Sequence, residues 1–469
     1  MADSRHANLA TGTRPGPTRR PLEGAATICF SMLAAALLSW MRYALSGSLR
    51  VWEDGLGTST RVALQLAFGV CAAVAGVTWL RALRREPAPS TAATLAVGIV
   101  GAACAACALP FTSDDLFQNL VYGRVCKAGL NPFVASPTEL GESDPSLALV
   151  LPHWTLQKFI YGPAIALVDC VAGRGDDVLA SLAIFKAEML LLAIAAIAFL
   201  PVVRKAAGRT APLLYFAWNP LFLWEVAGQS HNDAVMLLPE LGFVAAALAG
   251  RELIAVLCLC VAFCAKFSVA PLLGLYLLYL LRRSPRKGIA LLAVAVAVCA
   301  AFFAPWWAGP RVLLAPLPEV GADAHHHARS FTSLLVWLAT PLGTGVQVWI
   351  YGAARIVSIA ALLVLAGRAA LRARTVQAAL HEALIFLLAY DLLAAAWFQA
   401  WYVTWLLPLA LVDRDERVRR VVAVYSVLSL VQYCIALDPV TYLLVNGIPL
   451  AMLYATRRQS PAAALSLSG

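Results

Sequence analysis

Long apolar runs separated by short polar joints repeat along almost the whole chain. An α-helix rises 1.5 Å per residue and needs about 20 apolar residues to cross a bilayer. The pattern therefore predicts spans near 25–45, 61–83, 92–110, 178–202, 211–227, 234–249, 253–265, 268–281, 288–304, 346–367, 379–397, 402–412, 420–437 and 439–455. Such a chain is an all-α polytopic bundle of about 12 to 14 helices. The runs on either side of Lys266, and the run 402–412, are short for a full crossing. They read as half-helices lining a cavity, where broken backbone is tolerated at membrane depth. Residues 1–22, with Arg14, Pro15, Pro17, Arg19 and Arg20, read as a disordered basic tail, 23–456 as the transmembrane domain and 457–469 as a cytoplasmic C-terminal tail. The run after the first tail is too long for a cleaved signal peptide and lacks a small-residue cleavage site, so it reads as a retained first helix.

The polar joints are of two kinds. Six are basic: Arg81/Arg84/Arg85, Arg204/Lys205/Arg209, Arg282/Arg283/Arg286/Lys287, Arg368/Arg372/Arg374, Arg414/Arg417/Arg419/Arg420 and Arg457/Arg458. Basic loops stay in the cytoplasm. With the N-terminus inside, all six fall there provided that 156–172 does not cross. Lys158, a Tyr-Gly-Pro turn and Asp169 mark that stretch as interfacial. Residues 111–177 then form one external loop, and the joints 228–233, 305–331, 397–402 and 437–439 share its side.

Composition sharpens this in one respect. The 469 residues are 61% hydrophobic and 13% charged, against about 45–50% and about 25% in soluble domains. The net charge of +10 sits in the short clusters, so it speaks for anionic head groups and not for nucleic acid. The 11 cysteines give no disulfide framework. Cys71, Cys104, Cys107, Cys258, Cys260, Cys264 and Cys299 lie in apolar runs, and Cys104/Cys107 lacks the exposed thiolate of a redox pair.

The external joints carry the chemistry. SDDLFQNLVYGRVCKAGLNPF, Ser113–Phe133, sets Asp114 and Asp115 where a helix leaves the bilayer. Charged groups at that depth default to function, although Ser and Asp also cap helices. Asp115 and Tyr122 share a helical face, and Arg124 and Asn131 follow. WNPLFLWEVAGQSHNDAVM breaks at Asn219-Pro220, holds the intramembrane Glu225 and ends in Gln229, His231, Asn232 and Asp233. Lys266 stands alone in an apolar stretch and suits an anion. In DAHHHARSFTSLL the three adjacent histidines do not share a helix face, so a polar lid presenting Arg329 to a phosphate fits better than a metal site. WFQAWYVTWLLP offers Gln399, Trp401 and Tyr402 as membrane anchors or as stacking surfaces.

In this order, spanning about 113–412, the segments resemble the C-type polytopic glycosyltransferases that use polyprenyl-phosphate sugars, nearest to the bacterial polyprenol-phosphate-mannose-dependent mannosyltransferase-like proteins. The resemblance implies a C-type fold in the bacterial cytoplasmic membrane with its active site on the external, periplasmic face. It implies inverting transfer of a hexose, mannose first, from a polyprenyl phosphate to a lipid or glycan acceptor. Asp115 or Asp114 would be the base. Lys266, Arg329 and Arg124 would hold the donor phosphate. Tyr122, Asn131, His231, Asn232, Asp233, Gln399, Trp401 and Tyr402 would line the substrate site. No cofactor is required, and a divalent metal is not implied. The chain departs from the family pattern at NLVYGR, where YLWDGR supplies a further acid. The other class that fits intramembrane Glu225 and Lys266 is a transporter or flippase of a lipid-linked or small anionic substrate, which would carry charges at the midplane and gates on both faces. A ligase for lipid diphosphate oligosaccharides would differ in its donor.

Overall fold

The computed structural model describes residues 20–51, 55–85, 88–208, 212–310, 312, 328–435 and 437–458, so the run His325–His327 and most of the two expected tails lie outside the described residues. The described residues form helices and no strand; Ala328 and Trp397 make an isolated bridge. In chain order the helices of eight or more residues are α1 Arg20–Ser46, α2 Thr58–Ala82, α3 Thr91–Ala106, α4 Asp115–Lys127, α5 Pro163–Ala172, α6 Val178–Ala207, α7 Ala234–Leu248, α8 Glu252–Ala265, α9 Ala270–Arg283, α10 Pro285–Phe303, α11 Phe331–Leu338, α12 Thr344–Arg372, α13 Val376–Ala389, α14 Glu416–Val431 and α15 Ile448–Arg458. The first helix starts at Arg20, inside the expected tail.

Six segments are long and apolar enough to cross a membrane, in α1, α2, α6, α10, α12 and α13. Several expected spans are instead short or broken. Asn219 accepts from the N–H groups of Leu221 and Phe222, and Pro220 starts a new turn that runs into a π-helical segment, Leu223–Gly228. α8 stops where Lys266 turns extended (φ −138°, ψ 132°). The run 402–412 is a 3-10 segment, Ala400–Leu406, followed by one short helix, Leu407–Val412. These pieces need not match the bilayer because protein surrounds them: α7 packs on α6 and α8, and the π-helical segment on α3. α5, ten residues long, is too short to cross, as the interfacial reading requires.

The joints sort to two poles. At one, the Trp79 indole donates to Leu214 O, Tyr215 Oη to Arg419 O, Arg282 to Ala370 O, and His381 pairs with Asp413. These links tie five basic clusters together. At the other, Arg42 donates to Leu49, Arg50 and Pro110 carbonyls, Asn131 to Trp306 O, and Arg329 faces Asp438.

One cysteine expectation is overturned. Cys126 of α4 and Cys170 of α5 form a disulfide with Cα atoms 5.3 Å apart. The pairing joins residues 44 apart, and sequence spacing gives no hint of it. It locks a close crossing in which Gly123 lies on Asp169 O and Gly173 on Gly123 O, so a Cβ at either glycine would collide with backbone.

Candidate active site

Asp114 and Asp115 open α4, yet neither caps it. The Asp115 N–H goes to Ser113 Oγ, whereas Asp114 Oδ1 reaches back 63 residues to accept the Val51 N–H at 2.8 Å. The two acids therefore have different surroundings. Among the described residues the one ion-pair contact of the Asp115 side chain is His231 Nδ1, at 3.9 Å, and the side chain is 31% exposed. That exposure opens into a cavity of about 280 Å³ lined by both acids, Gln118, Trp154, Arg329, Gln399, Trp401 and Asp438.

Across the cavity stands Arg329, held in the left-handed region (φ 53°). Its backbone is fixed by the flanking Ala328–Trp397 bridge and by the Asn446 amide, which donates to Arg329 O. Its guanidinium is 3.9 Å from the half-exposed Asp438. Ser230, next to His231, is the other non-glycine residue with positive φ among the described residues (59°). Such conformations cost about 1–3 kcal/mol each and gather at functional sites. Ser230 is braced by Lys186 of α6, whose ammonium reaches Ser230 Oγ at 3.3 Å and Gly228 O at 2.9 Å.

His231 lies behind Asp115. Its Nε2 is 3.1 Å from the fully buried Glu225 Oε2, and its ring stacks on Trp401 with centroids 3.8 Å apart. Asn232 donates to Asn119 Oδ1, and Asn119 donates to the Asp115 carbonyl, so the loop 229–233 is bolted to α4. Gln229 completes the brace by accepting from the N–H groups of Phe111 and Thr112.

Asp233 does not cap α7 with its side chain. Its Oδ1 accepts from Lys266 Nζ at 2.8 Å and from the Trp405 indole. The ammonium also lies over the rings of Tyr161 and Trp405, at 5.1 and 5.7 Å. Tyr402 stacks on Trp405 at 4.3 Å. Lys266 is thus neutralised within the protein by the carboxylate of another expected site residue.

Three expected residues are placed elsewhere. Tyr122 is fully buried, and its hydroxyl contacts the carbonyls of Gln157 and Lys158. Sharing a face with Asp115 did not bring it to the cavity, because α4 packs into the loop below its first turn. Arg124 forms a fork on Asp144, with Nε 2.9 Å from both carboxylate oxygens and a second nitrogen at 2.8 Å, so that guanidinium is engaged by the loop itself. Partial burial pushes the Asp144 carboxyl up, but the Ser146 hydroxyl and N–H and the Arg124 guanidinium outweigh it and hold it below the usual carboxylate range. Asn131 donates to Trp306 O and lines a separate shallow cavity beside the disulfide.

Residues absent from the expected set include Gln118, Trp154, Trp397 and Asp438 at the cavity, Tyr161 and Trp405 around Lys266, and Lys186. Trp154 and Trp397 stack with centroids 6.3 Å apart at 20°. Lys186, a cation inside a long apolar helix, carried the same signal as Lys266.

Two comparisons with known proteins point to one family. A family model described as "Alpha-(1->6)-mannopyranosyltransferase, N-terminal domain" matches residues 21–282, more than half of the chain. Alpha-(1->6)-mannopyranosyltransferase A of Mycobacterium tuberculosis (strain ATCC 25618 / H37Rv) is 24% identical over 363 residues, which are 72% of this chain and 66% of the relative. The chain thus spans just under two thirds of the length of that relative. No solved structure matches.

Proposed function

The chain belongs to the alpha-(1->6)-mannopyranosyltransferase family, and on that premise we propose that it transfers a mannosyl unit from a polyprenyl-phosphate donor to a hydroxyl of a lipid or glycan acceptor, with inversion, at the outer face of a bacterial cytoplasmic membrane. The observation that carries the reading is that Asp115 and Arg329 line one cavity. Inverting transfer needs a base on the attacking hydroxyl and a cation on the departing phosphate. Asp115 is the base: its carboxylate is open to the cavity, whereas Asp114 is tied to Val51. As the acceptor oxygen bonds to the anomeric carbon, the bond to the phosphate oxygen breaks and its electron pair stays on the phosphate, beside Arg329. Lys266, Tyr402 and Asp233 form the floor behind the acid, and Lys266 meets the donor only if its bond to Asp233 is shared. The aromatic pair Trp154/Trp397, with Trp401 and Gln399, presents faces and an amide to sugar rings.

The outer face is supported by the basic clusters gathered at the opposite pole and by the disulfide in the acidic loop, since disulfides persist where the environment is oxidising. The test is transfer in proteoliposomes containing the purified chain and a panel of radiolabelled polyprenyl-phosphate sugars, with lipid and glycan products separated. Label moving from polyprenyl-phosphate mannose to an acceptor is the expected result. Absence of transfer with every donor would sink the reading and favour the transporter.

A further inference from the structure

The mechanism above leaves the fully buried Glu225 unused. Glu225, His231 and Asp115 stand in a row: Oε2 to Nε2 at 3.1 Å, then Nδ1 to Oδ2 at 3.9 Å. The row is built. The π-helical segment carries Glu225, whose carbonyl accepts the His231 N–H at 3.0 Å across the left-handed Ser230. Stacking on Trp401 fixes the plane of the ring.

We propose that His231 is a positioning residue that takes the proton collected by Asp115, with Glu225 holding its far nitrogen; the proposal rests on the reading of Asp115 as the base. Which nitrogen of a histidine carries hydrogen is set by what the other nitrogen meets. Glu225 Oε2 lies 3.1 Å from Nε2, off the line of a hydrogen bond, and a carboxylate there favours the hydrogen on Nε2, so that the Nδ1 lone pair faces Asp115. Before reaction two acceptors confront one another, in keeping with the 3.9 Å gap. When Asp115 takes the acceptor's proton its O–H becomes a donor, and the contact can close as catalytic hydrogen bonds do on reaction. The acceptor O–H bond breaks as its oxygen bonds to carbon, the proton passes from Asp115 to Nδ1, and the leaving pair remains on the phosphate. The imidazolium so formed is balanced by Glu225. Asp115 is again a carboxylate, and the proton leaves by the cavity.

Other charged and polar groups surround this row. Asp233 and Tyr433 interact electrostatically with Glu225, and Tyr433 also with Asp115 and Arg329. Lys186 contacts Ser230, the residue before the imidazole. The remaining cations bear on neighbours of the ring, and Glu225 is the carboxylate against Nε2.

The test uses the full chain in proteoliposomes, with polyprenyl-phosphate mannose as donor and initial rates measured against donor concentration. His231→Gln is expected to lower kcat about 100-fold with donor KM within about twofold. Glu225→Gln should lower kcat about tenfold, again with donor KM within about twofold, because the imidazolium has lost its counter-charge. The double variant should be no worse than His231→Gln alone, since the two act as one unit. Thermal unfolding of each purified variant checks that it folds, and Glu225→Gln, nearly the same shape, keeps the test open if His231→Gln does not. An inactive Asp115→Asn beside a Glu225→Gln of unchanged kcat would overturn the relay and leave the base standing. A near-normal rate in Asp115→Asn would remove the base and the relay with it, as would a wild type that transfers nothing.

Discussion

Two acids beside the loop 229–233 have opposite fates, Asp233 buried at its end and Asp115 partly exposed at the start of α4. Asp233 is satisfied: Lys266 and the Trp405 indole both bond its Oδ1, and aromatic rings enclose the pair. Asp115, on the other side of His231, keeps a carboxylate that opens on a cavity. Completed charge pairs at membrane depth hold helices together, because separating them strands an ion in a poor solvent. An acid left open beside a cation is available to a substrate. The lesson is that compensation, more than burial or residue type, divides scaffold from chemistry here.

The largest expected effect tests the satisfied half. Lys266→Met leaves Asp233 without its cation and should destabilise the protein by about 3–5 kcal/mol. Adding Asp233→Asn should return much of that. Unfolding of the purified variants in detergent measures both. If Lys266→Met is as stable as wild type and only raises donor KM, Lys266 belongs to the donor phosphate and the division fails.

The open half is tested by the neighbouring acids. Asp115→Asn should cut transfer about 100-fold or more with unchanged stability. Asp114→Asn keeps an acceptor oxygen for the Val51 N–H and should remain within about threefold of wild type. Reversed rates would exchange the two roles. Arg329→Ala is the next step down: kcat should fall about tenfold as the departing phosphate loses its cation, with little change in unfolding because its Asp438 pair is loose and partly exposed.

The smallest effect concerns the far end of α4. Asp144 is held below its ordinary range, so its contribution to stability is full above about pH 4 and is lost as pH falls through the depressed value. Unfolding temperature should therefore fall more steeply with acid in wild type than in Asp144→Asn, while the gap between them stays constant near neutrality. Parallel curves throughout would show that the Arg124 fork does not anchor the loop.

Much of this was legible in the chain, and what was not has a common cause. Helical pieces, the break at Asn219-Pro220, the isolation of Lys266 and the acid pair at a membrane boundary all follow from neighbours in sequence. What separates Asp114 from Asp115 is a backbone N–H 63 residues away. Arg124 read as free because Asp144 lies 20 residues on, in a loop without periodicity. Tyr122 shares a face with Asp115 by helical geometry, yet α4 leaves the cavity after its first turn. Cys126 and Cys170 meet only because two glycines let α4 and α5 touch. Glu225 and His231 are six residues apart, a spacing that an unbroken α-helix would not place side by side and that the turn after the π-helical segment, through left-handed Ser230, does.

The hairpin of α7 and α8 sets the depth at which all this happens. Its turn lies with Glu252 among Arg283 and Lys287 at the basic pole, and its open end is the Asp233–Lys266 pair. Helices of 15 and 14 residues reach only about 22 Å at 1.5 Å per residue, whereas a hydrocarbon core is about 30 Å thick. With the turn of the hairpin at one hydrocarbon boundary, the floor of the proposed site lies about 8 Å short of the other. On the proposed function, a donor tethered by a long isoprenoid chain would bring its head group to that floor by moving sideways within its own leaflet, and the soluble portion of an acceptor would have to reach down to meet it.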